Sequence, residues 1–204
     1  MFDTRLRPLK DTIFATLTWI VPSFITPTYI TFLAFLFGIG SCIYAAHRSP
    51  RLSLLFWILN RVLDCLDGAV ARRRNTASDL GGFLDLLCDF IIYSFIPISC
   101  ALGIRHATNS LWLSVAILES SFHVNNFVLF YVAAILEKRK STGGKTTGLT
   151  SVAMRPALIE GTESGMIFTA MLVWPEYLEG LSCCMAVLVG VGIIQRTWWL
   201  TSVL

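Results

Sequence analysis

Six long apolar stretches, at approximately 28–46, 52–71, 80–103, 110–136, 157–174 and 178–200, limit what this 204-residue chain can fold into. Each is close to the roughly 20 helical residues needed to cross a bilayer's hydrocarbon core. The chain is 55% hydrophobic and only 14% charged, whereas soluble domains run near 45–50% and 25%. The stretches are separated by chain-breaking or charged punctuation: Pro27, "HRSPR" (47–51), "RRRNTASD" (72–79), "RKSTGGKTTGLTS" (139–151) and Pro175. The expected fold is an all-α integral membrane domain over residues 1–204, with six transmembrane helices and no soluble appendage.

The first 22 residues read differently. Phe2, Leu6, Leu9, Ile13, Leu17 and Ile20 recur every three or four positions among Asp3, Arg5, Arg7, Lys10 and Asp11, which predicts an amphipathic helix lying in the membrane interface. The mixed charges do not fit a cleaved signal peptide. With the amino end inside, twelve basic residues fall on the inner side (Arg5, Arg7, Lys10, Arg72, Arg73, Arg74, Lys138, Arg139, Lys140, Lys145, Arg155, Arg196). Three fall outside: Arg48, Arg51 and Arg105. That bias predicts cytoplasmic termini but does not say which membrane houses the chain. The net charge of +3 thus reflects topology and an anionic lipid surface, and no basic–aromatic interleaving suggests nucleic acid. "STGGKTTG" (141–148) is not a phosphate loop, because Arg139 stands where the first glycine is required. The six cysteines contain no CxxC pair and read as small buried packing residues.

Against this background, Asp64, Asp67, Asp85 and Asp89 are costly. Each aspartate at the centre of a membrane helix costs about 2.5–3.5 kcal/mol, less near the boundary. Asp64 and Asp67 are three apart and Asp85 and Asp89 four apart, so each pair shares a helix face. The chain turns back between them, which holds all four carboxylates at similar depth near the cytoplasmic surface. Clustered oxygen ligands suit Mg²⁺ or Mn²⁺ rather than zinc, and a two-metal site explains why the cost is tolerated. Gly68, Ala71, Gly81 and Gly82 leave room for a ligand near the backbone, and Arg72 is placed to pair with a phosphate. Together these residues describe a diphosphate site.

The spacing Asp64-x2-Asp67-Gly68-x2-Ala71-Arg72-x8-Gly81-x3-Asp85-x3-Asp89 resembles the full signature of the CDP-alcohol phosphotransferases, with all eight positions present. The family also tends to carry Thr-Pro-Asn before its first span; here "TPT" (26–28) puts Thr28 at the Asn position. The resemblance implies metal-dependent transfer of a substituted phosphate from a CDP-linked donor to an alcohol, with release of CMP. Carried over position by position, Asp64, Asp67, Asp85 and Asp89 are the metal carboxylates and Asp89 the general base. Gly68, Ala71, Arg72 and Gly81 form the CDP pocket. Homodimers are common in the family.

Choline- and ethanolamine-phosphotransferases of this family are usually about twice this length, so the resemblance favours CDP-diacylglycerol as donor in a phospholipid-forming reaction. CDP-choline or CDP-ethanolamine is the alternative. Relatives acting on phosphorylated acceptors tend to present extra arginines near the fifth span. Here "MRPALIEGTES" (154–164) carries Glu160 and Glu163 beside Arg155, which favours a small alcohol without a phosphate. Glu119 and His123, four apart in the fourth span, complete the candidate acceptor pocket; a helix–helix hydrogen-bond network is their plainer reading. Arg61, three before Asp64, is read as a structural partner for that acid or for the cytoplasmic end of another helix. The rivals from other classes are a divalent-cation carrier, which needs acids at successive depths that the outer half lacks, and a catalytically silent membrane scaffold.

Overall fold

The computed structural model describes residues 14, 16–141 and 161–203, and among them it is helical throughout, with no strand. Among the described residues, six α-helices follow one another: α1 (Pro27–Ala46), α2 (Pro50–Arg73), α3 (Asp79–Gly103), α4 (Asn109–Ser141), α5 (Gly161–Val173) and α6 (Leu178–Val203). A 3₁₀ turn, Pro175–Tyr177, joins the last two. The interfacial helix expected over residues 1–22 falls mostly outside the described residues.

Among the described residues, four helical stretches are long and apolar enough to cross a membrane: α1, α3, Asn109–Ile135 within α4, and Pro175–Thr201. These make the chain a multi-pass membrane protein. Helix α2 has the length, at 24 residues, but carries Arg61, Asp64 and Asp67 in its apolar stretch. Helix α5 has 13 described residues. Helix starts follow local chemistry. Thr26 caps α1 and Pro27 opens it; Pro50 opens α2; Ser78 caps α3 through a bond from the Gly81 amide at 3.1 Å. Helix α4 runs five residues past the predicted span because "EKRKS" is charged yet helix-forming.

Helix α1 packs along α2 and α3, α4 packs along α6, and α5 touches α2, α3 and α6. The helices are tied by the devices a bilayer favours: small residues and internal hydrogen bonds. Ser41 Oγ donates to the Ser53 carbonyl at 2.9 Å and Ser53 Oγ returns a bond to the Ser41 carbonyl at 2.8 Å. At Gly103 an added Cβ runs into the backbone carbonyl of Ala45, so only glycine allows α3 to end against α1. Where α2, α3, α4 and α5 meet, rings pack: Phe168 lies 5.1 Å from Tyr93 and 6.2 Å from both Trp57 and Phe122. Trp57 Nε1 donates to Thr169 Oγ1 at 2.8 Å.

The cysteines correct one expectation. Cys42 and Cys100 are buried, but Cys183 and Cys184 are exposed. An apolar segment in a membrane protein turns one face to lipid, so apolar neighbours do not place a residue in the interior.

Candidate active site at the α2–α3 hairpin

The site is built where α2 ends and α3 begins. Asn75, at φ 54°, supplies the left-handed step that asparagine tolerates, and Ser78 starts the returning helix. Two of the three arginines at this turn hold the preceding segment in place. Arg74 donates to the carbonyls of Ile25 at 2.5 Å, Val21 at 2.9 Å and Pro22 at 3.0 Å. Arg73 donates to Thr18 Oγ1 at 3.0 Å and lies 3.5 Å over the Trp19 ring. The start of α1 is thereby held against the hairpin.

Between them lies a cleft of about 260 Å³. Gly68, Ala71, Arg72 and Gly81, the four residues expected to hold a CDP group, all line it, as do Asp67 and Asp85. A Cβ at position 68 would lie 3.1 Å from Arg72 Nη1, so glycine there leaves the guanidinium its position. Thr28 lines the cleft as well, at the position the signature gives to asparagine. Asp67 is buried and accepts from Thr31 Oγ1 at 2.5 Å. Thr31 was not legible as a site residue, because its approach depends on how α1 crosses α2.

Asp64 and Asp89 form a second tier one helical turn deeper, about 4.5–6 Å at 1.5 Å per residue. Arg61 joins them: Nη2 lies 2.5 Å from Asp89 Oδ1, and Nη1 lies 3.3 Å from Asp89 Oδ2 and 3.5 Å from Asp64 Oδ2. Nη1 also donates to the Tyr93 hydroxyl at 2.5 Å, and Nε donates to Asn60 Oδ1 at 2.8 Å. The expected partnership of Arg61 with Asp64 is present, and the closer one with Asp89 is added across the helices.

Among the described residues, no three histidine, cysteine or acidic side chains stand as a ready-made cation cage. Arg61 and Thr31 hold three of the four carboxylates instead. The donor set still fits a hard divalent cation: all its groups are carboxylate oxygens, from adjacent turns of two helices that Arg61 bridges, and gathered carboxylates repel one another unless cations offset them.

The acceptor candidates are not gathered at the cleft. Glu119 is half-buried in α4, with Oε1 buried and unpartnered. His123, one turn on, is exposed. Glu163 stands in the first turn of α5. Arg155 and Glu160 lie outside the described residues.

Known proteins share both sequence and shape with this chain. A family model described as CDP-alcohol phosphatidyltransferase matches residues 24–191. Inner membrane protein YnjF of Escherichia coli is 29% identical over 201 residues, covering 97% of this chain and 94% of that one. Cholinephosphotransferase 1 of Gallus gallus is 35% identical over 101 residues, 47% of this chain but only 30% of its own length. The crystal structure of Mycobacterium tuberculosis phosphatidylinositol phosphate synthase (PgsA1) with CDP-DAG bound superposes with a TM-score of 0.67 at 19% identity, over 93% of this chain and 92% of that one. The same protein in complex with manganese and citrate gives 0.58 at 20% identity, over 93% and 88%. At these identities the structural likeness speaks for a shared fold.

Proposed function

The chain belongs to the CDP-alcohol phosphatidyltransferase family, a family of phosphotransferases for substituted phosphate groups, and from that premise we propose the donor, acceptor and residue roles of its reaction. It moves a phosphatidyl group from CDP-diacylglycerol to a small alcohol without a phosphate of its own, and CMP leaves. The observation that carries this reading is the single cleft that Gly68, Ala71, Arg72 and Gly81 share with Asp67 and Asp85.

Arg72 pairs with the diphosphate, and its planar fork suits phosphate oxygens. Gly68 and Gly81 admit the nucleotide against the backbone. Asp64, Asp67, Asp85 and Asp89 hold Mg²⁺ or Mn²⁺, as the manganese complex of PgsA1 and the oxygen-only donor set support. Held there, such cations would supply Lewis-acid polarisation of the attacked phosphorus and charge neutralisation for the leaving CMP. Asp89 takes the proton from the acceptor hydroxyl as its oxygen bonds to phosphorus and the bond to CMP breaks. Thr31 keeps Asp67 oriented. Glu119, His123, Arg155, Glu160 and Glu163 are the candidates for contact with the acceptor.

The chain works as one domain over residues 1–204, a homodimer whose six helices all span the bilayer. The first 22 residues lie in the interface, and the termini and cleft face the cytoplasm. The inner-side excess of basic residues supports that orientation. Lipid meets the exposed apolar faces, so a soluble nucleotide head and a membrane-held tail reach one cleft.

The test is purified protein with Mg²⁺ or Mn²⁺, labelled CDP-diacylglycerol and a panel of polyols and amino alcohols, scored for CMP. Release dependent on both cation and alcohol is expected. Release with CDP-choline and diacylglycerol alone overturns the donor; that second reading draws on the match to cholinephosphotransferase 1. No release with any donor returns the cation carrier or silent scaffold.

A further inference from the structure

Arg61 holds a cation's position among the acids. Its guanidinium takes both oxygens of Asp89 and reaches Asp64, yet it is not a loose surface arginine. Trp57 and Tyr93 stack around it, with ring centroids 4.8 and 5.0 Å from Cζ. Its Nε is fastened to Asn60, and Asn60 is buried and tied by its own amide to the Ala34 carbonyl on α1 at 2.8 Å. Three helices thus fix the direction of one guanidinium fork.

The two tiers therefore differ in charge. Asp67 and Asp85 line the open cleft together with Arg72, while the two-pronged contact of the Arg61 guanidinium goes to Asp89. Asp64 and Asp89 already share a positive charge that an arginine does not give up at any working pH. Four carboxylates carry four negative charges; Arg61 cancels one and a single divalent cation two more. A second divalent cation reverses the sign of the set, and it has to take Asp89 oxygens away from a bidentate, charge-assisted pair.

From this geometry we infer that Arg61 is the built-in counter-cation of the Asp64–Asp89 tier, so that one divalent cation binds strongly on the Asp67–Asp85 side and a second must compete with Arg61 for Asp89. The inference rests on the metal-site reading proposed above and gives its two cation positions unequal strengths. Arg61 acts through Asp89, as a positioning residue.

The experiment counts cations without using turnover. The full chain, purified in detergent, is titrated with Mn²⁺ while free Mn²⁺ is read by electron paramagnetic resonance, for the wild type, Arg61→Gln and Arg61→Lys. The wild type is expected to bind one Mn²⁺ tightly and a second about tenfold or more weaker. Arg61→Gln is expected to close most of that gap. Arg61→Lys keeps the charge but loses the fork, so it lies between, and it carries the test where the glutamine variant does not fold. Two equal sites in the wild type, or a second site that neither variant tightens, overturns the inference and leaves the metal reading standing. A wild type that binds no Mn²⁺ overturns both.

Discussion

The molecule has a pocket at each end, and the larger one is not the candidate active site. The cleft at the α2–α3 hairpin holds about 260 Å³; the pocket at the other end, lined by Arg48, Ser53, Cys100, Gly103, Leu172 and Glu176, holds about 370 Å³. The difference lies in what the backbone aims inward. At the hairpin end, two helix ends direct paired carboxylates at spacings of three and four, and each described partner of those acids is itself held. At the far end the two charged groups, Arg48 and Glu176, are exposed, while a serine pair and a close glycine contact join α1 to α2 and α3. Convergent polar groups mark a site better than volume does. Changes at the hairpin end should therefore alter chemistry and leave the fold, and changes at the far end the reverse.

The largest effect expected is at Asp89. Asp89→Asn keeps the shape of the side chain and a carbonyl for Arg61 to bond, but not a base. CMP release is expected to fall by about 10²–10⁴-fold with the helical content and thermal midpoint close to wild type. Wild-type turnover in this variant removes Asp89 as the base. Loss of fold in step with activity breaks the contrast between the two ends.

Next in size is Gly103→Ala. The new methyl meets the Ala45 carbonyl, backbone that moves only with its helix, and overpacking of this kind costs about 1–3 kcal/mol. A lowered unfolding midpoint in detergent, with CMP release per folded molecule unchanged, is the expected pair of results. A selective loss of turnover here instead means that the far end is coupled to the chemistry.

These two positions also show how far the sequence could be read. The signature's spacing puts Asp89 on the same helix face as Asp85, because residues four apart share a face whatever the tertiary structure. The first four predicted spans and the last match the helix limits closely at their starts, where prolines and Ser78 act locally. They miss the end of α4, because apolarity stops at the membrane while helix propensity does not. What could not be read depends on register between helices. Arg61 was visible as a partner for Asp64, three residues on, but its bond to Asp89 requires α3 to return at the height that the turn through Asn75 sets. Thr31 meeting Asp67 and Gly103 meeting Ala45 are of the same kind. The acceptor side was the least legible: Glu119 and His123 share a helix face by count, yet in the structure one is half-buried and the other exposed.

A smaller stability effect is expected for Ser53→Ala. It removes the hydroxyl that donates to the Ser41 carbonyl, and interhelical hydrogen bonds in membrane proteins contribute about 0.6 kcal/mol on average and up to about 1.7. The Ser41 hydroxyl keeps the Ser53 backbone carbonyl as acceptor, which holds the expected cost to the lower part of that range. Thermal unfolding read beside Gly103→Ala ranks the two: the steric contact should outweigh the single hydrogen bond.

The smallest effect expected is at Glu176, and it is the sharpest check on the contrast. Glu176 lines the larger pocket and is one of the two charged groups there, so cavity size alone makes it a catalytic candidate. Its side chain is exposed in a short 3₁₀ turn, where a carboxylate keeps its hydration and pays none of the desolvation that makes the hairpin aspartates costly. Exposed charges away from special contacts change stability by about 0.5 kcal/mol or less. Glu176→Gln should therefore leave both the unfolding midpoint and CMP release within error of wild type, measured in the same assay as Asp89→Asn. A hundredfold loss in Glu176→Gln puts chemistry at the far pocket; a silent variant there, beside a dead Asp89→Asn, assigns it to the hairpin.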